Sequence, residues 1–279
     1  NSTVPLVFLA VSAILNIAWD LLFVAVFHWG IAGAAYATIF AQYVSGIGIL
    51  LYVLFRCRSL FPERKDLCFD GGILKEIAGL SSLTCLQQSV MNFGILMVQG
   101  LVNSFGATTM AAFAAAVKID TFAYLPVQDF GNAYSTFIAQ NYGAGNKERI
   151  HRGTKESFAI STAFSLVISA LVFAFAAPLM QIFVSSAETA VITSGVRYLR
   201  IEGAFYFGIG CLFLLYGYYR AIKRAEMSVV LTVISLGIRV LLAYVLSATF
   251  LGETGIWMAI PIGWILADLT GLLYMRKTW

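Results

Sequence analysis

Charge is what this sequence has least of. Only 11% of its 279 residues are Asp, Glu, Lys or Arg, against 60% hydrophobic ones, and its mean hydropathy is +0.84. A soluble domain carries about 25% charged residues, so a water-exposed globule is excluded. The apolar stretches run continuously and do not alternate with a period of two. That excludes a membrane β-barrel and leaves spanning helices. Histidine is nearly absent, with only His28 and His151, so no zinc centre is expected. The four cysteines, Cys57, Cys68, Cys85 and Cys211, form no CxxC pair. Cys85 and Cys211 sit in apolar segments, where a thiol behaves as a small hydrophobe. Cys57 and Cys68 fall in a basic loop assigned to the cytoplasm, where no disulfide is expected. HExxH, GxSxG and paired-aspartate motifs are missing, and no enzyme is expected. The chain starts on Asn1 with neither a basic n-region nor a small-residue cleavage site. It reads as a piece of a longer protein.

What is present is a series of eight apolar segments, at roughly 4–28, 31–55, 76–104, 107–140, 154–184, 190–220, 225–250 and 253–275. Each is long enough for a ~30 Å hydrocarbon core. The fold class is therefore an all-α polytopic membrane protein, with membrane lipid as its surroundings.

The basic residues set the orientation. Loop 56–75 holds Arg56, Arg58, Arg64, Lys65 and Lys75, and loop 141–155 holds Lys147, Arg149, Arg152 and Lys155. Arg220, Lys223 and Arg224 fall in the next connection on the same side, and Arg276 and Lys277 in the tail. The opposite turns, near 29, 105 and 251, have no Lys or Arg. The positive-inside rule places loops 56–75 and 141–155 in the cytoplasm. This bias accounts for the net charge of +4 without a nucleic-acid partner.

An internal echo is visible. The run GIAGAAYATIFAQYVSGIGILLY (30–52) aligns without a gap to GETGIWMAIPIGWILADLTGLLY (252–274). Gly30 matches Gly252, Gly33 matches Gly255 and Ala37 matches Ala259. Both segments run outside to inside, the pattern of a parallel repeat. Chance similarity between Gly- and Ala-rich helices is the competing explanation. The repeat divides the chain into residues 1–56, the last two helices of a first lobe; 57–75, a linker; and 76–279, a six-helix second lobe.

Polar residues inside spans mark pathways or interhelical contacts. In the third segment Ser81, Thr84, Gln88, Asn92, Gln99 and Asn103 share one face. That face meets a wet cavity or another helix, because lipid would leave its amides unsatisfied. In the fourth, Lys118, Thr121, Asp129, Asn132, Thr136 and Gln140 share a face, with Asp120 and Tyr124 beside it. Lys118 and Asp120 lie ~16–20 Å in at 1.5 Å per residue. They neutralise each other, or Lys118 pairs with Glu202. Gln88, Asn92, Gln99, Lys118, Asp120, Tyr124, Asp129 and Glu202 are the candidate substrate-cavity residues. Arg239 and Asp268 are isolated charges read as structural.

In the first segment, LNIAWDLLF (15–23) sets Asn16 and Asp20 one helical turn apart. Asp20 precedes the turn near residue 29 by nine residues and Thr38 follows it by nine. Antiparallel neighbours on a short turn bring the two to the same depth. Asn16, Asp20 and Thr38 then offer three hard oxygens, suited to Na⁺ or to a proton held on Asp20. Three are too few for a hard cation, which commonly takes six or so. A polar clasp between helices is the alternative.

These residues resemble the multidrug and toxic compound extrusion (MATE) family, bacterial type. STFIAQNYGAGNKERIHRG (135–153) is similar to the family's Gln-Asn-x-Gly-Ala-Gly segment and following basic turn. AAAVKIDTFAYLPVQDFGNAYST (114–136) and VQGLVNSFG (98–106) are similar to its second lobe. The likeness covers essentially the whole chain, from the fifth helix of the first lobe onward. It implies a twelve-helix fold of two six-helix lobes in the cytoplasmic membrane, monomeric at full length. It also implies export of amphipathic, often cationic organic compounds by alternating access, coupled to Na⁺ or H⁺, with no other cofactor. Asn16, Asp20 and Thr38 match a first-lobe cation site whose remaining acid lies outside this sequence. A flippase for lipid-linked precursors is the rival within transport, but it calls for several cavity cations, and only Lys118 and Arg239 are available. An intramembrane enzyme or a structural subunit leaves the polar stripes unexplained.

Overall fold

A computed structural model describes residues 3–57 and 69–278. Among the described residues the chain is helical, with no strand. Helix α1 (Thr3–Asp20) continues into a π-helical turn, Leu21–Val26. It is followed by α2 (Gly30–Arg56), α3 (Gly71–Ser104), α4 (Ala107–Gly143) and α5 (Lys147–Phe183). Next come α6 (Thr189–Gly203) and α7 (Tyr206–Ala221), which meet at a 52° bend and are together long and apolar enough for one span. Helices α8 (Ala225–Thr232) and α9 (Ile238–Ser247) are joined through a π-helical turn, Val233–Gly237, and α10 (Glu253–Thr278) closes the chain. Seven helices are long and apolar enough to cross a membrane, and the bent pair makes eight. The eight apolar segments of the sequence fall on these eight spans. The bend between α6 and α7 lies inside segment 190–220, where apolar periodicity carries no sign of it.

The chain divides into two compact units, Asn1–Gly71 and Gly72–Trp279. In the first, α1 packs on α2. The turn between them uses the left-handed region twice, at His28 (φ 54°) and Gly30 (φ 56°). One turn later the two backbones nearly touch. A Cβ on Gly33 would lie 3.1 Å from the Phe23 carbonyl carbon.

In the second unit α4 is central and packs on α5, α6 and α7, while α10 covers α6 through α9. Its core holds Phe113, Tyr198 and Trp257, all buried. The Phe113 and Trp257 rings stack at 5.5 Å, and Tyr198 meets Trp257 edge-on at 4.9 Å. Where lipid replaces water, small residues let helices approach by dispersion contact alone. At the α4–α7 crossing a Cβ on Gly217 would lie 2.6 Å from the Gly131 carbonyl oxygen. Ser135 completes that crossing by donating to the Gly217 carbonyl at 2.9 Å.

The internal echo has a structural counterpart. Gly30 and Gly252 both start their helices at positive φ, 56° and 52°. Gly33 and Gly255 are both points of backbone approach, and Ala37 and Ala259 are both fully buried. Matched positions therefore do matched work in the two helices.

The ends of the second unit differ. At the basic end Lys223 Nζ donates to Glu76 Oε1 at 2.7 Å, tying the α7–α8 connection to α3. That bond and the Glu76 charge hold the Lys223 ammonium above its usual value. At the opposite end Thr109 donates to Glu253 Oε2 at 2.8 Å, and Arg197 lies 3.8 Å from Glu253 Oε1. The sequence-based linker 57–75 lies mostly outside the described residues, with Arg58, Arg64, Lys65 and Cys68.

Candidate functional site

Two polar groups stand out, one in each unit. In the first, Asn16 Nδ2 donates to Thr38 Oγ1 at 3.4 Å, and Thr38 donates to the Ala34 carbonyl at 3.0 Å. Equal depth on the turn pairs Thr38 with Asp20; the hydrogen bond to Thr38 comes instead from Asn16, one turn earlier on the same face. Asp20 ends α1, and the π-helical turn begins at the next residue. Such turns widen a helix locally and occur often at functional positions. Asp20 Oδ1 is buried and has no hydrogen-bond partner among the described residues. Trp19 and Phe40 flank the position with ring centroids 5.8 Å apart. The donor set is one carboxylate, one amide and one hydroxyl. By type it fits Na⁺ or a bound proton, and in number it is incomplete for Na⁺.

In the second unit the fourth-helix polar residues separate. Lys118, Asp129, Asn132, Thr136 and Gln140 are exposed, whereas Asp120 is 2% exposed. Tyr206 on α7 donates its hydroxyl to Asp120 Oδ1. Glu202 and Tyr198 on α6 are near enough to act on the same carboxyl. Glu202 is 6% exposed. Neither acid has a Lys, Arg or His nitrogen within 4.0 Å among the described residues, and Arg239 acts on both only through space. Asp120 Oδ2 and Glu202 Oε2 are buried without hydrogen-bond partners among the described residues. The cluster forms because α6 breaks at Gly203, so that Tyr198 and Glu202 arrive from one helix and Tyr206 from the next.

Neither ion pair expected for Lys118 is formed. Its Nζ sits 5.9 Å from the centre of the Phe183 ring. It borders a cavity of about 570 Å³ with Thr108, Ala111, Ser185 and Glu188. Asp120 points into the bundle and Lys118 away from it, because two residues along a helix differ by about 200°. Tyr124 is half-buried, with its ring centre 6.2 Å from that of Phe213. On α3, Gln88, Asn92 and Gln99 are exposed within the second unit, while Gln87, Gly94, Val98 and Val102 turn to its core. Arg239 is half-buried, and its Nε lacks a partner among the described residues. Asp268 is buried, with the Cys211 thiol near its carboxyl. Sequence reasoning named Asp120 and Glu202 separately but did not join them, and it missed Tyr198 and Tyr206. Tyr198 was within reach of it, one turn before Glu202 on the same face.

These features define a class: a polytopic membrane protein with counter-ion-free acids inside its helix bundle. The comparisons refine it. The MatE family model matches residues 83–245, and the chain belongs to the MATE family. It is 31% identical over 279 residues to the probable multidrug resistance protein YpnP of Bacillus subtilis, covering 99% of this chain and 61% of that protein. It is 28% identical to the probable multidrug resistance protein NorM of Thermotoga maritima, covering 88% of this chain and 53% of that one. A solved outward-facing multidrug resistance MATE family transporter superposes with a TM-score of 0.90 at 24% identity, covering 98% of this chain and 61% of that one. This chain thus spans 53–61% of the length of these three proteins.

Proposed function

We propose that the whole protein exports amphipathic, often cationic organic compounds across the cytoplasmic membrane by alternating access, coupled to inward movement of H⁺ or Na⁺. Family membership and the relatives' names support transport. The observation that supports coupling is the buried Asp120–Glu202 pair with no cation within 4.0 Å. Two bare carboxylates in a dry site cost several kcal/mol each. Such a pair shares protons or holds a cation, and it gives them up when water enters. Tyr198 and Tyr206 orient the carboxyls, and the α6–α7 bend is the place where the site opens. The Asn16–Asp20–Thr38 group is a second coupling element in the first unit, with Asp20 as its acid. Around Lys118 the large cavity holds one cation and one acid, Glu188, which suits organic substrates better than a pyrophosphate lipid.

The test is efflux from proteoliposomes holding the whole protein, under a proton gradient and a Na⁺ gradient applied separately. Wild type responds to at least one gradient. Asp120→Asn and Glu202→Gln keep the shape of the site and remove its exchangeable charge, so gradient-driven efflux is lost while substrate still binds. Asp20→Asn weakens coupling in the same assay. Full gradient-driven efflux in both second-unit variants refutes the coupling role of that pair.

A further inference from the structure

The coupling reading leaves open how a proton reaches a pair that is sealed inside the second unit. Helix α5 carries Ser161, Ser165 and Ser169 at four-residue steps, so all three lie on one face. They are 3%, 1% and 7% exposed. None of their hydroxyls has a hydrogen-bond partner among the described residues. This is unusual, because a serine or threonine hydroxyl in a helix readily bonds the carbonyl four residues back, as exposed Ser82 and buried Thr232 do here. An unused buried hydroxyl costs about 1–3 kcal/mol, and alanine would pack the same space without that cost. Three in a row need a reason.

Their surroundings supply one. Above Gly210 on α7, one point lies 2.9 Å from Ser165 Oγ and 3.0 Å from Ser161 Oγ, so these two oxygens converge. The step from Ser165 to Ser169 is ~6 Å along the axis, a gap that one water or one rotamer change closes. Ser169 is one turn from Val172, and Val172 shares the contact shell of Gly203 with the Tyr206 ring. The Tyr206 hydroxyl is already on Asp120. In the other direction Ser161 borders a cavity of about 150 Å³ with Pro126, Val127 and Phe130, where Pro126 frees a backbone carbonyl of α4. Two turns nearer the basic end, the buried hydroxyls of Tyr134 and Thr154 are 2.7 Å apart.

We propose that Ser161, Ser165 and Ser169, with the Tyr206 hydroxyl, form a buried proton path from the basic end of the second unit to the Asp120–Glu202 pair. It rests on the proton form of the coupling reading above. A hydroxyl both donates and accepts. Each one takes a proton from the preceding group as it releases its own to the next. The last transfer neutralises a carboxylate, every serine ends neutral, and one positive charge has moved. The charged and titratable groups facing the terminus are Asp120 from α4, Tyr198 and Glu202 from α6, Tyr206 from α7 and Arg239 from α9. Helix α5 contributes only the hydroxyl ladder.

The test uses the whole protein reconstituted in lipid, with carboxyl protonation followed by infrared difference spectroscopy after a pH jump. In Ser161→Ala/Ser165→Ala/Ser169→Ala the rate of carboxyl protonation falls at least tenfold, towards the ~10²–10⁴ that a positioned proton-transfer group contributes. The midpoint of the titration does not move, because no charged neighbour has changed. Ser165→Ala alone, a safer variant for folding, slows the step in the same direction. A wild-type protonation rate in both variants overturns the path, and so does export driven by Na⁺ alone. The two ideas separate cleanly. If Asp120→Asn and Glu202→Gln retain gradient-driven efflux, the coupling reading falls and takes the path with it. If those variants lose efflux while the serine variants protonate at the wild-type rate, the path alone falls.

Discussion

Replacing Gly217 by alanine puts a methyl carbon 2.6 Å from the Gly131 carbonyl oxygen and 3.3 Å from Ser135 Cβ. Carbon–oxygen contacts ordinarily begin near 3.3 Å, so α4 and α7 must part by roughly 0.7 Å. The obstacle is backbone, which cannot rotate away as a side chain does. Separation also stretches the Ser135 bond to the Gly217 carbonyl, now 2.9 Å. Overpacking of this kind costs about 1–3 kcal/mol. Alanine returns about 0.5–1 kcal/mol through helix propensity, leaving a net loss of about 0.5–2 kcal/mol. For a unit of this size each kcal/mol moves Tm by about 2–4 °C, so Gly217→Ala lowers Tm by roughly 1–8 °C. Gly100→Ala is the matched control, since nothing lies within 4 Å of its added methyl; its Tm stays level or rises. Thermal unfolding of the detergent-solubilised protein, followed by fluorescence, measures both. A Gly217→Ala protein that melts with or above wild type refutes the close α4–α7 approach.

Other outcomes follow from the same geometry. Trp257→Ala, at a fully buried ring packed on Phe113 and Tyr198, costs about 3–5 kcal/mol in unfolding measurements; Trp257→Phe costs clearly less. A double-mutant cycle on Asn16→Ala and Thr38→Ala returns a coupling of about 0.6 kcal/mol, the average for a hydrogen bond between membrane helices. With Na⁺ added that coupling grows if the pair is part of a cation site and stays constant if it is only a clasp. Glu253→Gln changes stability by well under 1 kcal/mol, because its ion pair with Arg197 is half-exposed and screened.

What was legible in the sequence followed from properties that a helix fixes by itself. Span length is set by the bilayer, and all eight spans were visible. The short turn fixed which stretches of α1 and α2 face each other, but the residue that bonds Thr38 is Asn16, one turn earlier than the equal-distance partner Asp20. The echo between 30–52 and 252–274 is visible because positive φ and close approach both demand glycine, leaving Gly30, Gly33, Gly252 and Gly255 as a trace. The Asp120–Glu202 pair was not legible, because it depends on the 52° bend between α6 and α7. A span that breaks and one that runs straight have the same hydropathy.

The failure over Lys118 is more instructive. Two charges two residues apart suggested mutual neutralisation, but helical geometry sends them to opposite sides of α4. Lys118 goes to an open cavity and Asp120 to the interior. This separation is what leaves the acids without a counter-ion. A lysine beside Asp120 would hold it permanently charged and paired, and a permanently paired acid cannot load and release an ion. The 3.6-residue repeat thus keeps the bundle's acids available for exchange. The neighbours it gives them are the Tyr206 and Tyr198 hydroxyls, groups that orient a carboxyl without fixing its charge.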